Sequence, residues 1–161
     1  MKRCAYLESS VWNRIVDRED PERRRITRIF LDRARRKLRW FASAVVRAEL
    51  GETPDLELRH ELFRQLRRHR PRAVTVAPRT TAVLDGLMER GIGTPARAAD
   101  MMHLALAISA GMDFLVSWDE RHLANPRVER LVREYCRLTG YNLIRIGTPV
   151  QVATWVRVGL R

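Results

Sequence analysis

Residues 98–119 read AADMMHLALAISAGMDFLVSWD, a helix pattern followed directly by a strand pattern. The apolar segment that begins at Met101 stops at Gly111, and glycine commonly ends helices because it tolerates a left-handed backbone. The next run, 114–117, is short and apolar up to its final serine, as expected of a parallel strand covered on both faces. The stretch therefore predicts a helix and a buried strand, with Asp100 at the start of the helix and Asp119 just beyond the strand.

The same alternation of strand and helix patterns extends in both directions from this stretch. Other short apolar or β-branched runs lie at 4–7, 40–42, 73–76 and 142–146. Helical spacing of apolar residues, with capping residues before it, occurs at about 11–15, 20–36, 43–50, 58–66, 81–90 and 127–138. Alternation of this kind is typical of an α/β fold, so we predict a single domain, residues 1–150, with a central parallel sheet flanked by helices. The tail, 151–161, has no predicted role and is compatible with an edge strand, a dimer contact or a frayed end.

Composition indicates a folded and strongly basic protein. Hydrophobic residues make up 45% of the 161 residues, an ordinary share for a globular domain, and the formal net charge is +12. Lys2 and Lys37 are the only lysines, so arginine carries nearly all of the positive charge. Arginine suits phosphate recognition, although a general preference for arginine in the genome would give the same composition. A surface this basic attracts polyanions, and nucleic acid is the first partner to consider.

Cysteine usage and hydropathy favour a cytoplasmic protein that does not enter a membrane. Cys4 and Cys136 are too few and too far apart for a disulfide scaffold or a paired metal motif, which indicates a reducing compartment. The apolar run near the start ends at Glu8, before a secretory segment could form. The longest apolar stretch, 101–112, is shorter than the ~20 residues that span a bilayer.

Four acids are predicted to meet at one edge of the sheet. They are Glu8 after the first strand, Glu49 on the helix after the second strand, Asp100, and Asp119. Ligands of open parallel sheets bind beyond the carboxyl ends of the strands. Two carboxylates ~4 Å apart repel by about 4 kcal/mol at an effective dielectric of about 20, and a bound cation would remove that repulsion. Oxygen ligands favour Mg²⁺ or Mn²⁺, and the lack of clustered cysteine and histidine argues against zinc.

The acids lie in four segments that occur in a fixed order. The segments are YLESSV at 6–11, SAVVRAEL at 43–50, ADMMHLALA at 99–107 and DFLVSWDERHL at 113–123, followed by GTP at 147–149. Each is weak by itself, but the set covers nearly the whole chain. Together they resemble the PIN-domain family, in particular the branch of VapC-type toxin ribonucleases.

The resemblance implies an endoribonuclease that hydrolyses RNA with Mg²⁺ or Mn²⁺, forms a homodimer and is neutralised by an antitoxin in a type II pair. It assigns catalysis and metal binding to Glu8, Glu49, Asp100 and Asp119. Glu8 departs from the usual aspartate, which puts its coordination geometry in question, and the position of Asp119 is often asparagine in the family. The adjacent serines, Ser10 and Ser117, are candidates for a supporting role, with helix capping as the alternative for Ser10.

Other interpretations remain open at this point. A catalytically inactive PIN-like module that binds RNA or a protein would usually have lost one of the acids, whereas all four are retained here. A flap-type DNA nuclease shares the chemistry but usually needs additional segments. His103 and His122 fit either packed side chains or substrate contacts. We expect Trp12, Trp40 and Trp118 to belong to the core rather than to stack on bases.

Overall fold

A computed structural model describes all 161 residues of the protein, apart from the side chain of Pro95. The strands are β1 (Arg3–Leu7), β2 (Leu38–Ser43), β3 (Arg72–Val74), β4 (Phe114–Val116) and β5 (Arg145–Gly147). They form one sheet in the order β3-β2-β1-β4-β5, and all four pairings are parallel. The predicted α/β class with a central parallel sheet is confirmed.

Helices connect the strands and bury the faces of the sheet. They are α1 (Ser9–Val16), α2 (Pro21–Ala34), α3 (Ala44–Gly51), α4 (Leu56–His69), α5 (Pro78–Glu89), α6 (Ala98–Ser109), α7 (Pro126–Thr139) and α8 (Pro149–Trp155). Most begin at a side-chain cap that the sequence supplies locally. Asp20 accepts a hydrogen bond from the backbone N–H of Arg23 at the start of α2, and Asn125 caps α7 in the same way.

Among the differences from the sequence prediction, three concern the first helix and the last elements of the chain. β5 is shorter and lies later than the predicted 142–146. The α1 helix is capped by Glu8, which accepts from the backbone N–H of Ser10, so capping by Ser10 was wrong. Helix α8 was not predicted, although Thr148 and Gln151 form a capping box around Pro149, a signature that is visible in the sequence.

The core includes three of the four tryptophans and part of the chain beyond residue 150. Trp12, Trp40 and Trp118 are all buried, as predicted. Val152 and Ala153 of α8 are also buried, and the predicted boundary at 150 falls inside this helix.

The last residues run along α2. Arg25 and Arg33 on α2, and Lys37 after it, donate hydrogen bonds to backbone carbonyls within 157–160. The tail is thus held to its own chain, and it supplies no argument for a dimer contact. Among the described helices, none is both long enough and apolar enough to cross a membrane.

The strand order positions a crevice at the centre of the sheet. The order reverses between β1 and β4, the kind of switch point beyond which open parallel sheets bind ligands. Leu7 pairs with Val116, and the backbone N–H of Glu8 donates to the carbonyl of Val116. Glu8 and Ser117 therefore leave adjacent strands side by side at the carboxyl edge.

Candidate active site

Glu8 is a buried carboxylate held by two serines. Its Oε1 accepts from the backbone N–H of Ser10 at 3.1 Å, and its Oε2 accepts from the Ser10 and Ser117 hydroxyls at 2.5 and 2.8 Å. The residue is only 7% exposed. A carboxylate offers about four lone-pair sites, so three hydrogen bonds leave one for a further ligand. Ser10 and Ser117, predicted as supporting residues, fix the orientation of this carboxylate.

Glu49 projects from α3 toward the same edge and is held by Ser9 and His103. The Ser9 hydroxyl donates to Oε2 of Glu49, and Nε2 of His103 lies 3.0 Å from the same oxygen. Burial would raise the pKa of the Glu49 carboxyl, but the hydrogen bonds from His103 and Ser9 outweigh it and lower the pKa. Glu49 therefore stays ionised at neutral pH.

His103 is the end of a buried chain of polar side chains, here called the Ser43–Tyr6–His103 relay. The Tyr6 hydroxyl lies 2.7 Å from Oγ of Ser43 and 2.8 Å from Nδ1 of His103. All three residues are buried. Ser43 also accepts from the backbone N–H of Val46, as the cap of α3. Every group is paired when Ser43 donates to Tyr6, Tyr6 donates to Nδ1 of His103, and Nε2 of His103 donates to Glu49.

Asp100 and Asp119 form a second group with His122. Oδ2 of Asp119 lies 3.1 Å from Nδ1 of His122, and Oδ1 accepts from the backbone N–H groups of Arg121 and His122. The pKa of Asp100 is raised by burial and by the nearby charge of Asp119, against opposing contributions from His122, His103 and Arg97. Burial and the charge of Asp119 thus disfavour the ionised form of Asp100, and a bound cation would favour it.

The structure brings the four predicted acids to the carboxyl edge in two groups. Glu8, Glu49 and His103 offer ligand atoms within 4.8 Å of one another, and Asp100, Asp119 and His122 do the same. Sequence reasoning did not include either histidine among the ligands. A local signal existed for His122, which follows Asp119 by three residues, the spacing that places side chains on one side of a helical turn. His103 follows Asp100 by the same spacing but joins Glu8 and Glu49 instead.

Comparison with known families identifies the fold. The PIN domain family matches residues 5–128, which is most of the chain and includes all four acids. The chain belongs to the PIN-domain family. PIN domains are generally nucleases, and the resemblance recognised from the four segments is confirmed at the level of the family. No curated protein matches the sequence of this PIN domain.

Two solved structures share the fold of this PIN domain at low sequence identity. One is VapBC2 from Rickettsia felis bound to a DNA fragment from its promoter, with a TM-score of 0.55 and 8% identity, covering 90% of this chain and 98% of that chain. The other is DNA-bound VapBC from Salmonella typhimurium, with a TM-score of 0.56 and 15% identity, covering 92% of this chain and 99% of that chain. Both likenesses concern the fold.

The residues at this edge fit a divalent cation. Each group contributes two carboxylates and one imidazole. Burial, and then the charge of Asp119, raise the pKa of Asp100, so a cation bound there would favour its ionised form. Carboxylates are the usual protein ligands of Mg²⁺ and Mn²⁺, and neutral imidazole is a ligand of transition ions.

Proposed function

We propose that this PIN domain is a metal-dependent endoribonuclease that hydrolyses RNA phosphodiester bonds with Mg²⁺ or Mn²⁺, and that it is the toxin of a type II toxin-antitoxin pair. The observation that carries the proposal is the pair of acidic groups, Glu8 with Glu49 and Asp100 with Asp119, at the carboxyl edge of the sheet. The family assignment supports a nuclease. The likeness to two VapBC structures supports the toxin and an antitoxin partner. A homodimer stays a prediction from the family resemblance.

Hydrogen bonds within the chain preorganise the carboxylates of the site. Ser10 and Ser117 orient Glu8, while Ser9 and His103 orient Glu49 and keep it ionised. Backbone N–H groups fix the carboxylate of Asp119. Ligands that are already aligned need little reorganisation when charge develops at the attacked phosphate, which is how such sites lower a barrier.

The cation would be held by Glu8, Glu49, Asp100 and Asp119. The position of Asp119 is the one that varies between aspartate and asparagine in the family. A bound divalent ion supplies Lewis acidity, which activates water and stabilises charge on the phosphate, so no protein nucleophile is required. The net charge of +12 attracts the RNA backbone to the protein.

Cleavage of a mixed RNA pool tests the proposal directly. The wild-type chain is incubated with Mg²⁺ or Mn²⁺, beside Asp100→Asn and the matched control Asp32→Asn. Asp32 is exposed near the end of α2, toward the opposite edge of the sheet. We expect metal-dependent cutting that Asp100→Asn abolishes and Asp32→Asn retains.

Other results would direct the assignment elsewhere. RNA binding without cleavage in any divalent metal would favour the inactive PIN-like module. Cleavage of DNA with RNA left intact would favour a DNA nuclease. For the toxin, induced expression should arrest growth with the wild-type chain and not with Asp100→Asn, and growth that continues equally in both would remove the toxin assignment.

A further inference from the structure

The group formed by Asp100, Asp119 and His122 contains an imidazole, and the family assignment does not call for this imidazole. One ring nitrogen of His122 and one carboxylate oxygen each from Asp100 and Asp119 lie within 4.8 Å of one another. His122 is partly exposed, with 30% of its side chain accessible, so an ion can reach the group from solvent. A neutral imidazole adds a ligand to two carboxylates without adding charge.

The position of His122 relative to Asp119 is fixed by several contacts. Nδ1 of His122 lies 3.1 Å from Oδ2 of Asp119, and the backbone N–H of the same histidine donates to Oδ1 at 2.9 Å. The backbone N–H of Arg121 donates to Oδ1 as well. The ring is thereby held against the carboxylate rather than left free to rotate into solvent.

The spacing matches that of two neighbouring ligands on one ion. Ligands at right angles around an octahedral ion with bonds of ~2.1 Å are about 3 Å apart. The 3.1 Å between Nδ1 of His122 and Oδ2 of Asp119 is close to this separation. In the tautomer of the neutral ring that carries its proton on Nε2, Nδ1 has a free lone pair, and small adjustments then give two bonds to a cation in place of the contact with Oδ2.

We propose that His122 supplies a nitrogen ligand to the divalent ion held by Asp100 and Asp119, and that this ligand makes the site prefer a first-row transition ion such as Mn²⁺ over Mg²⁺. The inference rests on the proposed function, since it assumes that this group binds the catalytic ion. Mg²⁺ takes oxygen ligands and retains its waters, so an imidazole adds little to its binding. An imidazole ligand increases the binding affinity of transition ions more than that of Mg²⁺.

The ordinary alternative is that His122 only forms a hydrogen bond within the turn that follows β4. Under that alternative, Mn²⁺ binds through oxygen atoms alone, and replacing the ring by an amide leaves the ratio of Mn²⁺ to Mg²⁺ affinity unchanged. The two interpretations therefore differ in a spectroscopic signature and in an affinity ratio, neither of which depends on cleavage.

Mn²⁺ binding to the full chain is measured by electron paramagnetic resonance, and pulsed measurements detect ¹⁴N coupled to the bound ion. The variants are His122→Gln and the matched control His60→Gln, at an exposed histidine on α4. We expect ¹⁴N coupling in the wild type and in His60→Gln, and its loss in His122→Gln. Mn²⁺ affinity should fall about tenfold or more in His122→Gln, while Mg²⁺ affinity changes much less.

The outcomes separate the inference from the proposed function. Bound Mn²⁺ without ¹⁴N coupling in the wild type, or coupling that survives His122→Gln, overturns the inference and leaves metal-dependent cleavage standing. Absence of Mn²⁺ and Mg²⁺ binding in the wild type overturns both. Equal melting temperatures of wild type and His122→Gln in chelator exclude misfolding as the reason for a lost signal. If His122→Gln does not fold, labelling the wild type with ¹⁵N-histidine must change the coupling, and an unchanged signal overturns the inference.

Discussion

Tyr6→Phe removes one hydroxyl from the middle of the Ser43–Tyr6–His103 relay and leaves the packing of the ring in place. The Tyr6 hydroxyl is bonded to Oγ of Ser43 at 2.7 Å and to Nδ1 of His103 at 2.8 Å, in a fully buried position. Its loss leaves two buried polar groups without their partner. Each such group costs about 1–3 kcal/mol, and we expect a total loss of about 2–4 kcal/mol because the Ser43 hydroxyl can turn to relieve part of it.

The free energy of unfolding is measured by urea denaturation at neutral pH in chelator. The slope of the unfolding free energy against urea concentration should be unchanged, since the surface exposed on unfolding is the same. Tyr135→Phe is the matched control, because the described residues offer no hydrogen bond to the Tyr135 hydroxyl. It should change the free energy by no more than about 0.5 kcal/mol.

The relay also predicts an effect at the site. With Nδ1 of His103 unpaired, the ring no longer has a fixed donor directed at Glu49, and divalent-ion affinity should fall about tenfold or more, as when outer-shell partners are removed. Tyr6→Phe that unfolds at the wild-type urea concentration and binds metal equally well would refute the argument that this hydroxyl orders the site.

Four further predictions follow from the charges at the edge. Asp100→Asn should raise the melting temperature of the metal-free protein near neutral pH. Burial and Asp119 raise the pKa of Asp100, so its ionised form destabilises the fold at that pH. A lower melting temperature would contradict this. The pKa of Glu49 is lowered, so its contribution to stability is present above the ordinary value of 4.5 and is lost as the pH falls through the lowered value. Glu49→Gln should therefore weaken the dependence of the unfolding free energy on pH in that acidic range. Identical pH profiles of wild type and variant would exclude this contribution. Glu8→Asp should keep more metal affinity and cleavage than Glu8→Gln, whose single carbonyl oxygen cannot accept all three hydrogen bonds; a Gln variant with full activity would remove Glu8 from the site. RNA affinity should fall steeply between ~50 and ~200 mM salt as counterions are released, and a flat response in filter binding would argue against a phosphate-dominated interface.

The sequence determined those features that depend on neighbouring residues. The apolar run before Ser117 and the capping aspartate before Pro21 each specify an element locally, so the alternation of strands and helices could be predicted. The carboxyl-edge rule then selected Glu8 and Asp119, because parallel strands end at one edge whatever their order. The capping box that starts at Thr148 was equally local, and its omission was a failure to use a visible signal.

Tertiary structure decided how the acids are distributed and what supports them. The strand order places β1 beside β4 and so brings Ser117 to Glu8, a pairing across 109 positions that no local pattern contains. Tyr6 meets His103 across 97 positions, and only that contact directs the imidazole at Glu49. Side-chain hydrogen bonds between distant segments depend on the packing of whole helices against the sheet, and for that reason the division into two histidine-containing groups could be read from the fold and not from the sequence.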